Sequence, residues 1–210
     1  MRPGDELIGL LEVIMATSGP ECGPRDRLLL SAVTLVRRQG VAGTGLAELL
    51  ERSRTARGSV YQHFPGGKEE LVAASTRLAG DAVAQRIRAE AHHIDPVEIV
   101  RAVVDTAIRD LVDHGFEFGC PIAAAASSGP DHAEAVAAAA DSFAAWVSGL
   151  RDGFASGGMD RSVAEAFASV VVSAVEGAIL QARASRSLDP LLHVAEQLSD
   201  LARTRPRATD

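Results

Sequence analysis

The chain has 210 residues, 47% apolar and 23% charged, a balance that suits one large or two small globular domains and excludes a disordered chain. Two cysteines, Cys22 and Cys120, are too few for a disulfide scaffold and point to a reducing, cytoplasmic setting. The formal net charge of −7 excludes a uniformly basic nucleic-acid binder, but residues 24–68 carry eight positive and three negative side chains, a net of +5, against −3 in residues 1–23 and −9 in residues 69–210. A basic block on an acidic body is the electrostatic footprint of one nucleic-acid-binding module. The apolar run Val163 to Leu180 is interrupted by Glu165 and Glu176, so no membrane span is expected. The segment Leu7 to Ala16 is flanked or broken by Asp5, Glu6 and Glu12, which argues against a signal peptide.

Taken in chain order, nearly everything reads as helix. Residues 1–23 form either an extra helix, with Leu7, Leu10, Leu11 and Ile14 on one side, or a leader before a true start at Met15. Leu29, Ala32, Val33 and Val36 give an i, i+3, i+4, i+7 stripe, which predicts a helix over 25–39 ended by Gly40. Leu46, Leu49 and Leu50 mark a short second helix, with Thr44 as its candidate cap. A third helix fits Ala56 to Phe64, and Pro65-Gly66-Gly67 breaks the chain before a longer helix over 68–90. After Asp95-Pro96 a helix runs to about His114, and Gly115 to Cys120 is a turn before Pro121 at the first position of a new helix. Ser127 to Pro130 is a further break. Phe143, Trp146, Val147, Leu150 and Phe154 share a helical face that Gly157-Gly158 ends, and helices over 160–185 and 188–203 close the chain before a frayed tail.

Two short helices, a turn at Ser53-Arg54 and a basic second helix are the layout of a helix-turn-helix. Val60 and Phe64, i and i+4, can anchor the second helix to a core. Arg57 and Ser59 then lie free near its N-terminal end, where base edges are met and an arginine can hold a guanine bidentately. Gly58 removes bulk for a close approach, and Tyr61 and His63 can donate to phosphates. Tyr61 is the only tyrosine and Lys68 the only lysine, and both fall in this region. Lys68 opens the next helix, where free amides and the dipole favour a phosphate.

The run Thr55 to Leu71 (TARGSVYQHFPGGKEEL) resembles the recognition helix and following turn of the TetR family of regulators, and the resemblance covers residues 25–84. It implies an all-α fold of about nine helices: a three-helix DNA-binding domain over 24–84, with its helix-turn-helix at about 45–64, and a ligand-binding and dimerisation domain over 85–203, before a tail over 204–210. It implies DNA contacts from Thr44, Arg54, Thr55, Arg57, Gly58, Ser59, Tyr61, His63 and Lys68. Two positions depart from the family pattern. Gly45 stands where Ser or Thr is common, and Thr44 is a substitute. Arg54 stands where a turn glycine is common. It either keeps a positive φ, at roughly 1–2 kcal/mol of strain, or takes another turn and adds a phosphate contact.

Gly119-Cys120-Pro121, Trp146, Glu176-Gly177-Ala178 and Ala182-Arg183 resemble the LmrA/YxaF-like branch of that family, some of whose members respond to flat aromatic compounds. Phe116, Phe118, Cys120, Phe143, Trp146 and Phe167 are the expected lining of an apolar effector pocket. Glu176, inside an apolar helix, needs a partner: an arginine, a group across a dimer, or the ligand. The helix over 160–185 is apolar nearly all round and so must be covered on two sides. A second copy is the expected cover, through Val171, Val175, Gly177, Ile179, Leu191 and Leu198. No nucleophile–base pattern, metal motif or cofactor motif appears, so the expectation is a regulator rather than an enzyme, releasing a palindromic double-stranded DNA operator when a small apolar or aromatic effector binds. The alternatives are a ligand-independent DNA-binding regulator or organiser of the same fold and, more remotely, a helical-bundle enzyme.

Overall fold

The computed structural model describes residues 23–91 and 94–206. The expected N-terminal helix, Cys22, His92, His93 and the end of the tail lie outside them. Among the described residues there are nine α-helices, one short 3-10 turn and no strand. They are α1 (Pro24–Gly43), α2 (Leu46–Ser53), α3 (Arg57–His63), α4 (Lys68–Glu90), α5 (Pro96–Asp113), α6 (Pro121–Ala126), the 3-10 turn Pro130–His132, α7 (Ala133–Ser156), α8 (Arg161–Ser185) and α9 (Asp189–Thr204). The chain leaves helical geometry at Gly40 (φ 74°, ψ 174°) as expected, then makes one more turn to Gly43.

The fold divides into two compact units. The first holds the described residues up to Ala82 together with Pro121–Ser142. The second holds Val83–Cys120 together with the described residues from Phe143 onward. The family resemblance implies a single domain over 85–203. Instead α6, the 3-10 turn and the first turns of α7 cluster with α1–α3, because α6 packs on α1.

In the first unit, Leu28, Leu29, Ala32 and Leu35 of α1 meet Leu49 of α2, Val60 of α3, Phe64 and Leu71 in one sealed core. Of the predicted α1 stripe, Leu29 and Ala32 belong to it, while Val33 and Val36 are buried outside this cluster. Phe64 is 1% exposed, and burying such a ring contributes about 1.5–3 kcal/mol. Helix α4 lies so close to α7 here that a Cβ on Gly80 would fall 2.0 Å from Ser142 Oγ. Only glycine fits at that crossing.

In the second unit, Val100, Val104 and Leu111 of α5, Leu150 and Phe154 of α7, Phe167, Val171 and Val175 of α8, and Leu191 and Leu198 of α9 form the core. The Phe154 and Phe167 rings stack tilted at 5.0 Å. Helix α5 starts with Pro96 at N1 and the Asp95 carboxylate accepting from the Val97 amide at 2.8 Å, which satisfies a donor that the helix leaves open. Asp160 caps α8 likewise, accepting from the amides of Ser162 and Val163 and from the Ser162 hydroxyl, bonds that hold its carboxyl below the usual range. By length and apolar composition α8 could cross a membrane. In this fold its stripe from Ala164 through Phe167, Val171 and Val175 to Ala182 is instead buried among the neighbouring helices.

Candidate nucleic-acid interface

Helix α2 ends on Arg54, which takes the left-handed conformation (φ 51°, ψ 44°). Its amide reaches the carbonyls of Glu51 and Leu50, and the Thr55 amide reaches Leu50 O at 3.2 Å. These bonds satisfy carbonyls at the helix end, so Arg54 keeps the geometry of a turn glycine and carries the strain. Its side chain is exposed. Thr55 is half-buried, and its hydroxyl shares a 2.8 Å hydrogen bond with that of the buried Ser53.

The capping role expected of Thr44 is not what the structure has. Gly45 is the N-cap of α2 and no side chain caps that end. Thr44 is 0% exposed, and its hydroxyl donates to Gly40 O at 2.8 Å. A hydroxyl spent on closing the α1 kink and sealed from solvent is not presented to a phosphate.

Helix α3 sorts its residues by face. Val60 and Phe64 are sealed in the core, whereas Arg57, Gly58 and Tyr61 are exposed and Ser59 and His63 half-buried. A Cβ on Gly58 would meet nothing within 4 Å, so no packing inside the chain asks for glycine there. Gln62 is also exposed on this helix, and sequence reading left it out. A glutamine can read adenine bidentately, and its place between Tyr61 and His63 was the available signal. Arg25 was also left out; its guanidinium lies 5.5 Å from the centre of the Phe64 ring.

The turn Pro65–Gly67 leads into α4, whose first three residues are Lys68, Glu69 and Glu70. The amides at this helix start are not all open. Glu70 folds back to accept from the Gly66 amide at 2.8 Å. Glu69 reaches His132 of the 3-10 turn, with 2.7 Å from its carboxylate to Nδ1. Lys68 is half-buried and makes no ion pair or hydrogen bond within the described residues.

In the second unit the structure brings together some of the expected effector residues and separates others. Phe167 is 1% exposed and belongs to the core beside Phe154. Trp146 is 6% exposed and meets the Phe143 ring edge-on at 5.4 Å. Phe116 takes a left-handed backbone (φ 62°) under the Arg186 guanidinium, and the Phe118 ring lies 4.8 Å from His114. Burial pushes the Glu176 carboxyl above the usual carboxylate range, against a smaller downward pull from its hydrogen bond with Cys120. Its Oε2 is buried with no partner among the described residues. Arg183, two turns along α8, donates to Glu117 O at 2.9 Å. A small cleft of about 180 Å³ is lined by Arg88, Ala91, Ala145, Ser148, Gly149, Asp152 and Gly153, and by none of the residues expected to line a pocket. No group of three or more His, Cys, Asp or Glu that could hold a metal ion occurs among the described residues.

The residues expected to meet a second chain divide in the same way. Val171, Val175, Leu191 and Leu198 are at most 6% exposed and pack into the chain's own core, so they are not surface. Helical phase is the reason: they lie on the buried stripe, whereas Val170, one residue before Val171, and Leu192, one after Leu191, are exposed. Among the described residues of α8 and α9, the large apolar side chains left exposed are Val170 and Leu180 on α8 and Leu192 and Leu201 on α9; Val112 on α5 is exposed as well. Ile179 and Gly177 are half-buried, and a Cβ on Gly177 would meet nothing within 4 Å.

Comparison with known proteins matches both halves of the chain. Residues 28–75 match the profile for bacterial regulatory proteins of the tetR family, and residues 96–197 that for the C-terminal domain of LmrA/YxaF-like transcriptional regulators. An uncharacterized HTH-type transcriptional regulator of Mycobacterium tuberculosis is 36% identical over 185 residues, covering 85% of this chain and 94% of that protein. The HTH-type transcriptional regulator LmrA of Bacillus subtilis is 29% identical over 181 residues, 84% of this chain and 95% of its own. Among solved structures, a TetR transcriptional regulator from Legionella pneumophila superposes with a TM-score of 0.76 at 21% identity, over 87% of this chain and 98% of that one. At that identity the superposition speaks for the fold.

Proposed function

Because the chain belongs to the TetR family of bacterial transcriptional regulators, in its LmrA/YxaF-like branch, we propose that it is a cytoplasmic, dimeric repressor that holds a palindromic operator through α3 and releases it when a small apolar or aromatic effector binds its second unit. Members of this family are DNA-binding regulators rather than enzymes. The observation that carries the reading is the sorting of α3: Val60 and Phe64 sealed, Arg57, Gly58 and Tyr61 turned outward from a basic segment. That is what a recognition helix needs, an apolar side to fix it and a polar side for base edges. The empty space beside Gly58 supports a close approach by DNA.

Dimerisation is supported by the apolar side chains that α8 and α9 leave outside, Val170, Leu180, Leu192 and Leu201. A two-fold pair would set two copies of α3 against half-sites about 34–36 Å apart. Release follows if the effector prefers a conformer with another spacing, and the loss of operator affinity equals its differential affinity for the two conformers.

Footprinting on DNA from upstream of the protein's own gene tests this. The expected result is protection of two half-sites one helical turn apart, lifted by flat aromatic compounds. Binding without any preferred site would overturn the operator reading. Firm specific binding that no compound in a broad screen releases would favour a ligand-independent regulator instead.

A further inference from the structure

Three charged residues open α4, and the fold treats each differently. Glu70 is turned back onto the Gly66 amide, Glu69 is held by His132 sixty-three positions later, and Lys68 has no partner among the described residues. A carboxylate only accepts, so the ring nitrogen 2.7 Å away, Nδ1, must carry the hydrogen. The His132 side chain is 15% exposed and that of Glu69 46%, so the histidine is the fixed member and the glutamate the one being held. We infer that His132 is a positioning residue for DNA binding: it ties Glu69 to the 3-10 turn and so keeps a negative charge from the phosphate that Lys68 meets. The inference rests on the DNA-binding function proposed above and on the phosphate contact that the sequence leads one to expect of Lys68.

The physical case is electrostatic. Released from His132, the Glu69 carboxylate is free to fold toward Lys68 and a phosphate on it, at distances too short for salt to screen, since the screening length is about 8 Å at physiological salt. Held, its charge is taken up by the Nδ1–H donor. It would also compete for the same helix N-terminus, where negative charge is favoured. Phosphate contacts are blind to sequence, so this device acts on all DNA alike.

The test is a set of anisotropy titrations on an operator duplex and a scrambled duplex of equal length, with folding checked by circular dichroism. His132→Ala should weaken binding to both duplexes by about two- to fivefold, the scale of one exposed charge interaction. His132→Asn, whose amide can replace the Nδ1–H donor, should stay near the wild type. Glu69→Gln should bind at least as tightly as the wild type, and His132→Ala combined with Glu69→Gln should return to the level of Glu69→Gln alone. Wild-type affinity in His132→Ala, or a double variant as weak as His132→Ala, would overturn the inference. So would weakened binding by Glu69→Gln, which marks a purely structural pair and can be read even where His132→Ala folds poorly. Lys68→Ala run alongside separates the two claims: unchanged binding there would overturn the phosphate contact itself.

Discussion

Cys120 and Glu176 meet through a thiol–carboxyl hydrogen bond, and Oε2 of that carboxyl is sealed with no partner among the described residues. Burial therefore raises the folded-state affinity of Glu176 for its proton. The folded chain binds more protons than the unfolded one between the ordinary carboxylate pKa and the raised value, so this group withdraws stability as pH climbs through that window. Glu176→Gln is expected to be the more stable protein at neutral pH, with the gap closing as pH falls toward about 4.5. Thermal melts of both proteins across that range check it. A wild type as stable as the variant at neutral pH would mean that a cation or donor satisfies Oε2.

Arg54 holds φ at 51° where a glycine would be unstrained. Relief of about 1–2 kcal/mol, less the roughly 0.5–1 kcal/mol that glycine loses in backbone entropy, predicts that Arg54→Gly is more stable by up to about 1.5 kcal/mol. Urea unfolding measures this. If the exposed guanidinium also meets a phosphate, the same variant binds DNA more weakly, with a salt dependence shallower by about one unit. A destabilised variant would show that the side chain is held by contacts worth more than the strain.

Arg57→Ala should lose about 1–3 kcal/mol of operator affinity and relax specificity at one base position, whereas Lys68→Ala should weaken all sequences alike. Gel shifts at several salt concentrations separate the two. Equal operator affinity in wild type and Arg57→Ala would remove that arginine from the reading surface.

Open space around Gly177 makes it a clean probe of self-association. A side chain begun at Gly177 meets no atom of the chain at its Cβ, so Gly177→Arg is aimed at a second copy laid on α8. The variant is expected to melt like the wild type, run as a monomer in light scattering, and bind operator weakly because two half-sites are no longer held together. A dimeric Gly177→Arg would place the interface elsewhere.

Helix positions were legible because apolar period, proline and glycine mark them: Pro96 and Pro121 each open a helix, and Gly40 bends the first. The face of α3 was legible too, because i and i+4 anchors in so short a helix leave one outward side. Thr44 was misread because a hydroxyl before a helix looks the same whether it caps forward or closes the previous turn, and only the kink at Gly40 decides that. On α8 the sequence is apolar all round, so its periodicity carries no phase. Val171 and Val175 could not be told from Val170 until α5 and α9 took one side. The pairs Glu69–His132 and Arg183–Glu117 join residues more than sixty positions apart, beyond the reach of any local pattern.

The interrupted first unit bears on how such regulators can be recombined. A chimera cut near residue 84 and joined to a foreign sensor would leave behind Pro121–Ser142, part of the compact body to which α1–α3 belong. The transplanted head would lose the α6 surface that covers α1 and the histidine that restrains Glu69. A graft that keeps the head's own packing must therefore transfer two stretches of chain, and the recipient's sensor must tolerate an insertion between its equivalents of α5 and α7.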